Sequence, residues 1–250
     1  MRLLYVWDAD YPWDVRTEKV CRAFSGAGWD VTIAARNKNG AARTESLTEG
    51  FVERIPLPPF LGARGRAALS FPAFVNPLWL WHIGRTVSRN QVDLVIVRDL
   101  PLALTAMAAA RGRPVILDMA ENYPAMIQDV WSDGAAKPLD FLIRNPTFVR
   151  AVERWVVAHV DHIVTVVEES SSRLQALGVP ADRLTVVSNT PPLTQVAGQP
   201  MLADPDPLQV VYLGLMEGHR GVTDLLEATR LLAGEGVRLQ VDFVGGGRDL

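Results

Sequence analysis

The loop Leu215-Met216-Glu217-Gly218-His219-Arg220-Gly221 follows an apolar run that ends at Gly214 and precedes a run with helical spacing. A strand-to-helix turn of this make can hold an anion. The first N–H groups of a helix have no partner within the helix, its dipole adds partial positive charge, and an adjacent Arg220 offers a planar donor fork that suits a pyrophosphate. Of the four histidines, at 82, 159, 162 and 219, only His219 lies in this loop, and the four have no metal-ligand spacing. The same glycines also suit a plain tight turn beside a solvated arginine, so the loop alone leaves both readings open. Other chemistry-bearing residues stand where apolar runs end: Arg98 and Asp99 after VDLVIV, and Glu168 after DHIVTVV. In an open parallel sheet, ligands sit beyond the carboxyl ends of the strands, which is where these side chains would be. They can contact an acceptor there or pair with one another. Arg16, one turn into the first helical run with Trp13 just before it, either reaches towards such a ligand or lies on the surface.

Several chemistries lack their residues. No glycine separates Asp8 from the first helix, so the GxGxxG turn that lets a backbone approach a dinucleotide is missing. GxxxxGK[ST] and GxSxG are also absent, which argues against a Walker-type nucleotidase and an α/β hydrolase. Two DxD strings occur, Asp8 to Asp10 and Asp204 to Asp206; the second reads as spacer and the first arrives early for a metal site, so no metal is expected. Cys21 is the single cysteine, which leaves no internal disulfide and reads as a buried thiol on a helix.

These residues need a scaffold, and the apolar pattern supplies one. Leu3–Trp7 reads as a strand, Asp14 to Gly28 as a helix and Asp30–Ala35 as a second strand. The alternation continues through strands at Phe51–Ile55, Val92–Val97, Pro114–Asp118, Asp161–Val167 and Leu184–Val187, with helices at Leu100–Ala110 and Glu168–Leu177. Continuously apolar strands alternating with helices predict a doubly wound parallel α/β domain over residues 1–190. The stretch from Asn189 to Pro207 has five prolines and no period, so 191–207 reads as a linker. The rhythm then restarts with strands at Leu208–Leu213 and Leu239–Val244 around a helix at Val222–Ala233, giving a second α/β domain over 208–250 that reads as incomplete.

The 250 residues carry 25 Lys plus Arg against 28 Asp plus Glu, a net charge of −3, and 48% are hydrophobic. That balance argues against a surface built as a whole for nucleic acid. No apolar stretch reaches the length of a spanning helix or a signal-peptide core, so a cytoplasmic setting is expected. The segment from Phe60 to Arg89 is unusual in mixing Phe60, Phe71, Phe74, Trp79 and Trp81 with Arg64, Arg66, Arg85 and Arg89. It suits either a helix packed on the sheet or peripheral contact with the anionic inner face of a membrane.

Taken in order, YPWDVRTEKVCRAFSGAGWDVTIAA, VDLVIVRDLP, PVILDMAENYP, AVERWVVAHVDHIVTVVEESSSRLQALGVPADRLTVVSNTPP, VVYLGLMEGHRGVTDLLEATRLL and VDFVGGG resemble the retaining glycosyltransferases of family 4 over nearly the whole chain. The resemblance implies the GT-B fold of two Rossmann-like domains, and transfer of a sugar with retention, without metal or cofactor, from a nucleoside diphosphate sugar to a polysaccharide or lipid-linked glycan. It implies donor contacts at Gly214, His219, Arg220, Gly221 and Gly245, and acceptor contacts at Trp13, Arg16, Arg98, Asp99, Asn122 and Glu168. Arg220 stands where the family has a phosphate-binding Lys, but the preceding family Arg is Leu215 here. The family's Asp-x-His-Glu reads Asp118, Met119, Ala120, Glu121, which leaves Glu121, with Asp118, as the expected catalytic group. The family's pair of glutamates would fall beyond Leu250, so the chain alone is expected to lack half of the donor site. A sugar-nucleotide epimerase and a non-catalytic nucleotide-sugar-binding module are the alternatives.

Overall fold

The computed structural model describes residues 1–58, 60–72, 74–132, 145–190, 207–216 and 220–247. The chain divides into two compact units, Met1–Thr190 and Pro191–Leu250.

The first unit is built on one sheet. Its strands are β1 (Arg2–Asp10), β2 (Asp30–Arg36), β3 (Thr44–Leu47), β4 (Gly50–Arg54), β5 (Leu94–Arg98), β6 (Val115–Met119), β7 (His162–Thr165) and β8 (Leu184–Val186). They lie in the order β3-β4-β2-β1-β5-β6-β7-β8, all parallel except the β3–β4 hairpin. The chain leaves β1 in one direction to form β2 and returns to the other side with β5, paired Leu3 to Leu94 through Val6 to Val97. This places the topological switch point between β1 and β5.

Both faces of the sheet are covered, which is why the central strands are apolar at consecutive positions. Leu4, Val6, Val95, Val97, Leu117 and Ile163 point to one face. There they meet helices α3 (Pro77–Arg89), α4 (Ala103–Ala109) and α6 (Pro146–His159), which bury Trp79, Ile83, Ala106, Val149 and Val156. Leu3, Tyr5, Ile33 and Ile96 point to the other face, where α1 (Val15–Gly26) buries Cys21. The remaining helices of this unit are α2 (Ala63–Leu69), α5 (Tyr123–Ser132) and α7 (Glu168–Ala176).

In the second unit β9 (Leu208–Leu213), α8 (Val222–Gly234) and β10 (Leu239–Val244) form one βαβ unit, with the strands parallel and paired Leu208 to Leu239 through Leu213 to Val244. Among its described residues only Met216 is buried. Most of the expected linker, residues 191–206, lies outside the described residues.

Candidate functional site

At the switch point, the loop from β1 to α1 and the end of β5 form one polar cluster. Asp14 is the N-cap of α1 and accepts a hydrogen bond from the Thr17 N–H at 2.7 Å. The same carboxylate oxygen accepts from Arg98 Nη1, which also donates to Thr17 Oγ1 at 3.2 Å. The Arg98 guanidinium lies 4.2 Å from the centroid of the Trp7 ring, and its Nε is 3.5 Å from Asp99 Oδ2. Arg98 is thus held by a carboxylate, a hydroxyl and an aromatic face.

Asp99 connects this cluster to the loop after β6. Its Oδ1 accepts from the backbone N–H groups of Ala120 at 2.9 Å and Glu121 at 3.1 Å, and its own N–H donates to the Asp118 carbonyl at 3.0 Å. To make these bonds it adopts φ +58°, costly for a residue with a Cβ. Burial pushes its carboxyl up to about 7, against the opposing pull of Arg98 and the two N–H donors. Burial likewise raises the carboxyl of Asp8, one strand away. The clamp leaves Glu121 and Asn122 exposed beyond the carboxyl end of β6, where the Asn122 carbonyl accepts from Met126 N–H at the start of α5.

Two expected ligand-contacting residues are instead a buried brace. Asp118 Oδ1 accepts from Arg16 Nε at 2.8 Å and from Nη2 at 2.5 Å, while Oδ2 accepts from the Tyr5 hydroxyl at 2.7 Å. Arg16 Nη1 continues to the Val187 carbonyl at 2.8 Å and Asn189 Oδ1 at 2.9 Å. Arg16 is 3% exposed and Asp118 1%. A pair so enclosed is tolerated because each partner satisfies the other's hydrogen bonds. It ties α1, β6 and the end of the first unit together and has no free oxygen for a sugar. Trp13 stands out differently: it is 94% exposed and holds φ +90°. Glu168, at the start of α7, is exposed beside Glu169. Tyr5, Trp7 and Asp14 hold this site and are missing from the sequence-based set. Asp14 alone had a local signal, an Asp three residues before Thr17 at a helix start.

In the second unit Gly221 is the N-cap of α8, with φ +74° and no side-chain capping bond. A left-handed φ there favours glycine, and the absent cap leaves first-turn N–H groups open to a ligand. Arg220 is exposed just before it. Asp224 occupies part of the same field, its Oδ2 lying 3.9 Å from where a Cβ on Gly221 would stand. The turns after β9 and β10 pack backbone to backbone, with Gly214 N–H bonded to the Val244 carbonyl at 3.0 Å and Met216 N–H to the Gly246 carbonyl at 2.9 Å. A Cβ on Gly245 would lie 1.9 Å from the Gly214 carbonyl oxygen, so the approach requires glycine. Leu215 is half exposed, and His219 lies outside the described residues. Among the described residues no group of three or more His, Cys, Asp or Glu could hold a metal ion.

Residues 14–190 match the family model of the glycosyl transferase 4-like domain. No curated protein matches in sequence. Among solved structures, the sucrose-phosphate synthase of Thermosynechococcus elongatus superposes with TM-score 0.71 at 12% identity, covering 99% of this chain and 63% of its own. The apo lipopolysaccharide outer core galactosyltransferase WaaB gives 0.61 at 16%, covering 100% of this chain and 62% of its own. Anabaena Alr3699/HepE, solved with UDP and glucose, gives 0.55 at 14%, covering 99% and 70%. The chain therefore spans less than two thirds of the length of the first two. At such identities the likeness is one of fold, and that fold is the α/β type of the GT-B glycosyltransferases.

Proposed function

The chain belongs to the glycosyl transferase 4-like domain family, and from that premise we propose that it serves the transfer of a sugar from a nucleoside diphosphate sugar to a polysaccharide or lipid-linked glycan, with retention and without a metal. The observation that carries the donor assignment is the uncapped start of α8 behind the left-handed Gly221, with Arg220 exposed beside it. Open N–H groups and a guanidinium are what a leaving diphosphate needs as negative charge grows on it. In this reading Glu121 is the acid that contacts the transferred sugar, and its backbone N–H donates to Asp99. Asp118 and Arg16 act through the brace beneath it. Trp13, Asn122 and Glu168 supply acceptor contacts from the exposed rim, with Arg98 and Asp99 fixing the loops that carry them.

Binding of nucleoside diphosphates to the full chain by titration calorimetry tests the donor site. Arg220→Ala should weaken binding about 10- to 100-fold, the worth of a hydrogen bond to a charged group. Unchanged affinity would remove Arg220 from the donor site. Ala120 and Leu215 stand where the family pattern has a His and an Arg, which favours a second reading as a nucleotide-sugar-binding module without transfer. Tight binding with neither transfer nor donor hydrolysis would favour that reading.

A further inference from the structure

We propose that the solvent face of α3, with the turn before β6, is a docking surface for an anionic phospholipid bilayer. The sequence from Phe60 to Arg89 has four arginines and no Asp or Glu, in a chain that carries 28 acids and a net charge of −3. This stretch therefore carries net positive charge in an otherwise acidic molecule, with Arg64 and Arg66 on α2 and Arg85 and Arg89 on α3. In the fold, Leu80, Trp81, Arg85 and Ser88 lie along the exposed stripe of α3 and, with Arg89 and Arg111, line an open groove of ≈ 500 Å³. Among the described residues neither Arg85 nor Arg111 has an ion-pair partner. Arg85 lies over the Trp81 ring at 5.8 Å. Arg111 lies above Gly84, where a Cβ would be 3.7 Å from its Nε. Arg89 is different, since its Nη2 donates to the buried Glu53 carboxylate at 2.5 Å.

Two apolar side chains, Leu80 and Trp81, border the groove beside its arginines. Trp81 is 50% exposed, and Leu69, Val75 and Leu80 are exposed on the same stretch. A closed basic pocket would suit a free phosphate; an open one bordered by a half-exposed indole suits the headgroup boundary, where Trp rests and arginines reach phosphates. The location is compatible with activity. The end of α3 adjoins the amino edge of the sheet, where Arg2 Nη1 donates to the Asn90 carbonyl at 3.0 Å, and Arg111 precedes β6 on that edge. The ligand edge of the first unit is at the opposite end of the strands.

Co-sedimentation of the full chain with vesicles tests this without any nucleotide, so its outcome is separate from that of the donor site. The chain should pellet at low salt with phosphatidylcholine vesicles containing phosphatidylglycerol, stay in solution with phosphatidylcholine alone, and be released by high salt. Arg85→Glu with Arg111→Glu should lower the partition coefficient at least ~20-fold, at roughly fivefold for each cation removed. Arg22→Glu with Arg150→Glu, exposed on α1 and α6, makes the same change in net charge and should lower it far less. Trp81→Phe should abolish fluorescence quenching by lipids brominated in the acyl chain. All four residues changed in the double variants and Trp81 are exposed, so melting curves should stay close to wild type, the loss of the exposed Arg22–Glu18 pair on α1 lowering them only slightly. The proposal is overturned by no pelleting at low salt, by equal losses in the two double variants, by quenching that survives Trp81→Phe, or by competition from millimolar inorganic phosphate, which would make the groove a soluble-anion site.

Discussion

Asp99 keeps a carboxyl in a place that disfavours its charge, and this makes the first unit's stability depend on pH in a definite direction. Its folded pKa, about 7, lies above the ordinary 3.8. The native state therefore holds a proton that the unfolded chain has released, and stability falls as pH rises from about 4 to about 7. Asp99→Asn keeps an oxygen that can accept from Ala120 and Glu121 and removes the charge. Denaturant midpoints for this variant should be flatter than wild type across that window and higher at pH 8, with the residual slope due to Asp8. An unchanged slope would show that Asp99 is ionised throughout. Trp13 separates stability from activity: at 94% exposure its truncation to Ala should cost no more than about 0.5 kcal/mol. Its loss should nevertheless raise the acceptor KM in a transfer assay; an unchanged KM would detach Trp13 from the acceptor. Arg98 and Asp99 were legible as edge residues because the end of an apolar strand can be read from its pattern. The Arg16–Asp118 brace was not, because it joins positions 102 residues apart and depends on the Arg16 side chain of α1 reaching the end of β6. A charged side chain carries no mark in sequence that tells burial from exposure.

At the level of elements, the strands that build the sheet could be read from consecutive apolar residues, and the observed β1, β2, β5 and β6 overlap the expected runs. The edge was less visible. β3, with the sequence TESL, has Leu47 as its single apolar residue, and only its pairing with β4 makes it a strand. The polar His159, Asp161 and His162 mark where the apolar run changes element, and the observed β7 lies inside the strand expected at Asp161–Val167, whereas α6 before it is absent from the expected helices. The helix that could be read as Leu100–Ala110 opens with a tight 3₁₀ turn at Leu100–Leu102, following the constrained backbone of Asp99. The glycine run after β10 gives a paired test of its packing role. Gly245→Ala would drive a Cβ to 1.9 Å from the Gly214 carbonyl, whereas Gly246 has nothing within 4 Å. Gly245→Ala should therefore weaken the β9–β10 pairing by about 2 kcal/mol or more, read as faster amide exchange at Tyr212 and Gly214, while Gly246→Ala leaves it within ~0.5 kcal/mol. Equal effects would mean the two turns separate without cost.

Across the whole molecule, burial is distributed unevenly, and resistance to opening should follow it. Leu3, Leu4, Tyr5, Val6, Val95 and Val97 are each 0% exposed, whereas in the second unit only Met216 among the described residues is buried. Amides of β1, β2 and β5 should exchange only through global opening, and those of β9, β10 and α8 through local opening orders of magnitude faster. A ligand held by the second unit changes this in a predictable way. Binding only the closed form, a nucleoside diphosphate at 100 times its Kd adds about 2.7 kcal/mol to that unit's opening free energy. Exchange in α8 and β9 should then slow by about 100-fold, and in Arg220→Ala, with its 10- to 100-fold weaker binding, by only about 2- to 10-fold at the same ligand concentration. Because the core strands of the first unit open by a separate and costlier route, their exchange should change little at the same ligand concentration. Uniform slowing across both units would mean that they open together, and slowing confined to β1 and β5 would move the diphosphate to the switch point of the larger sheet.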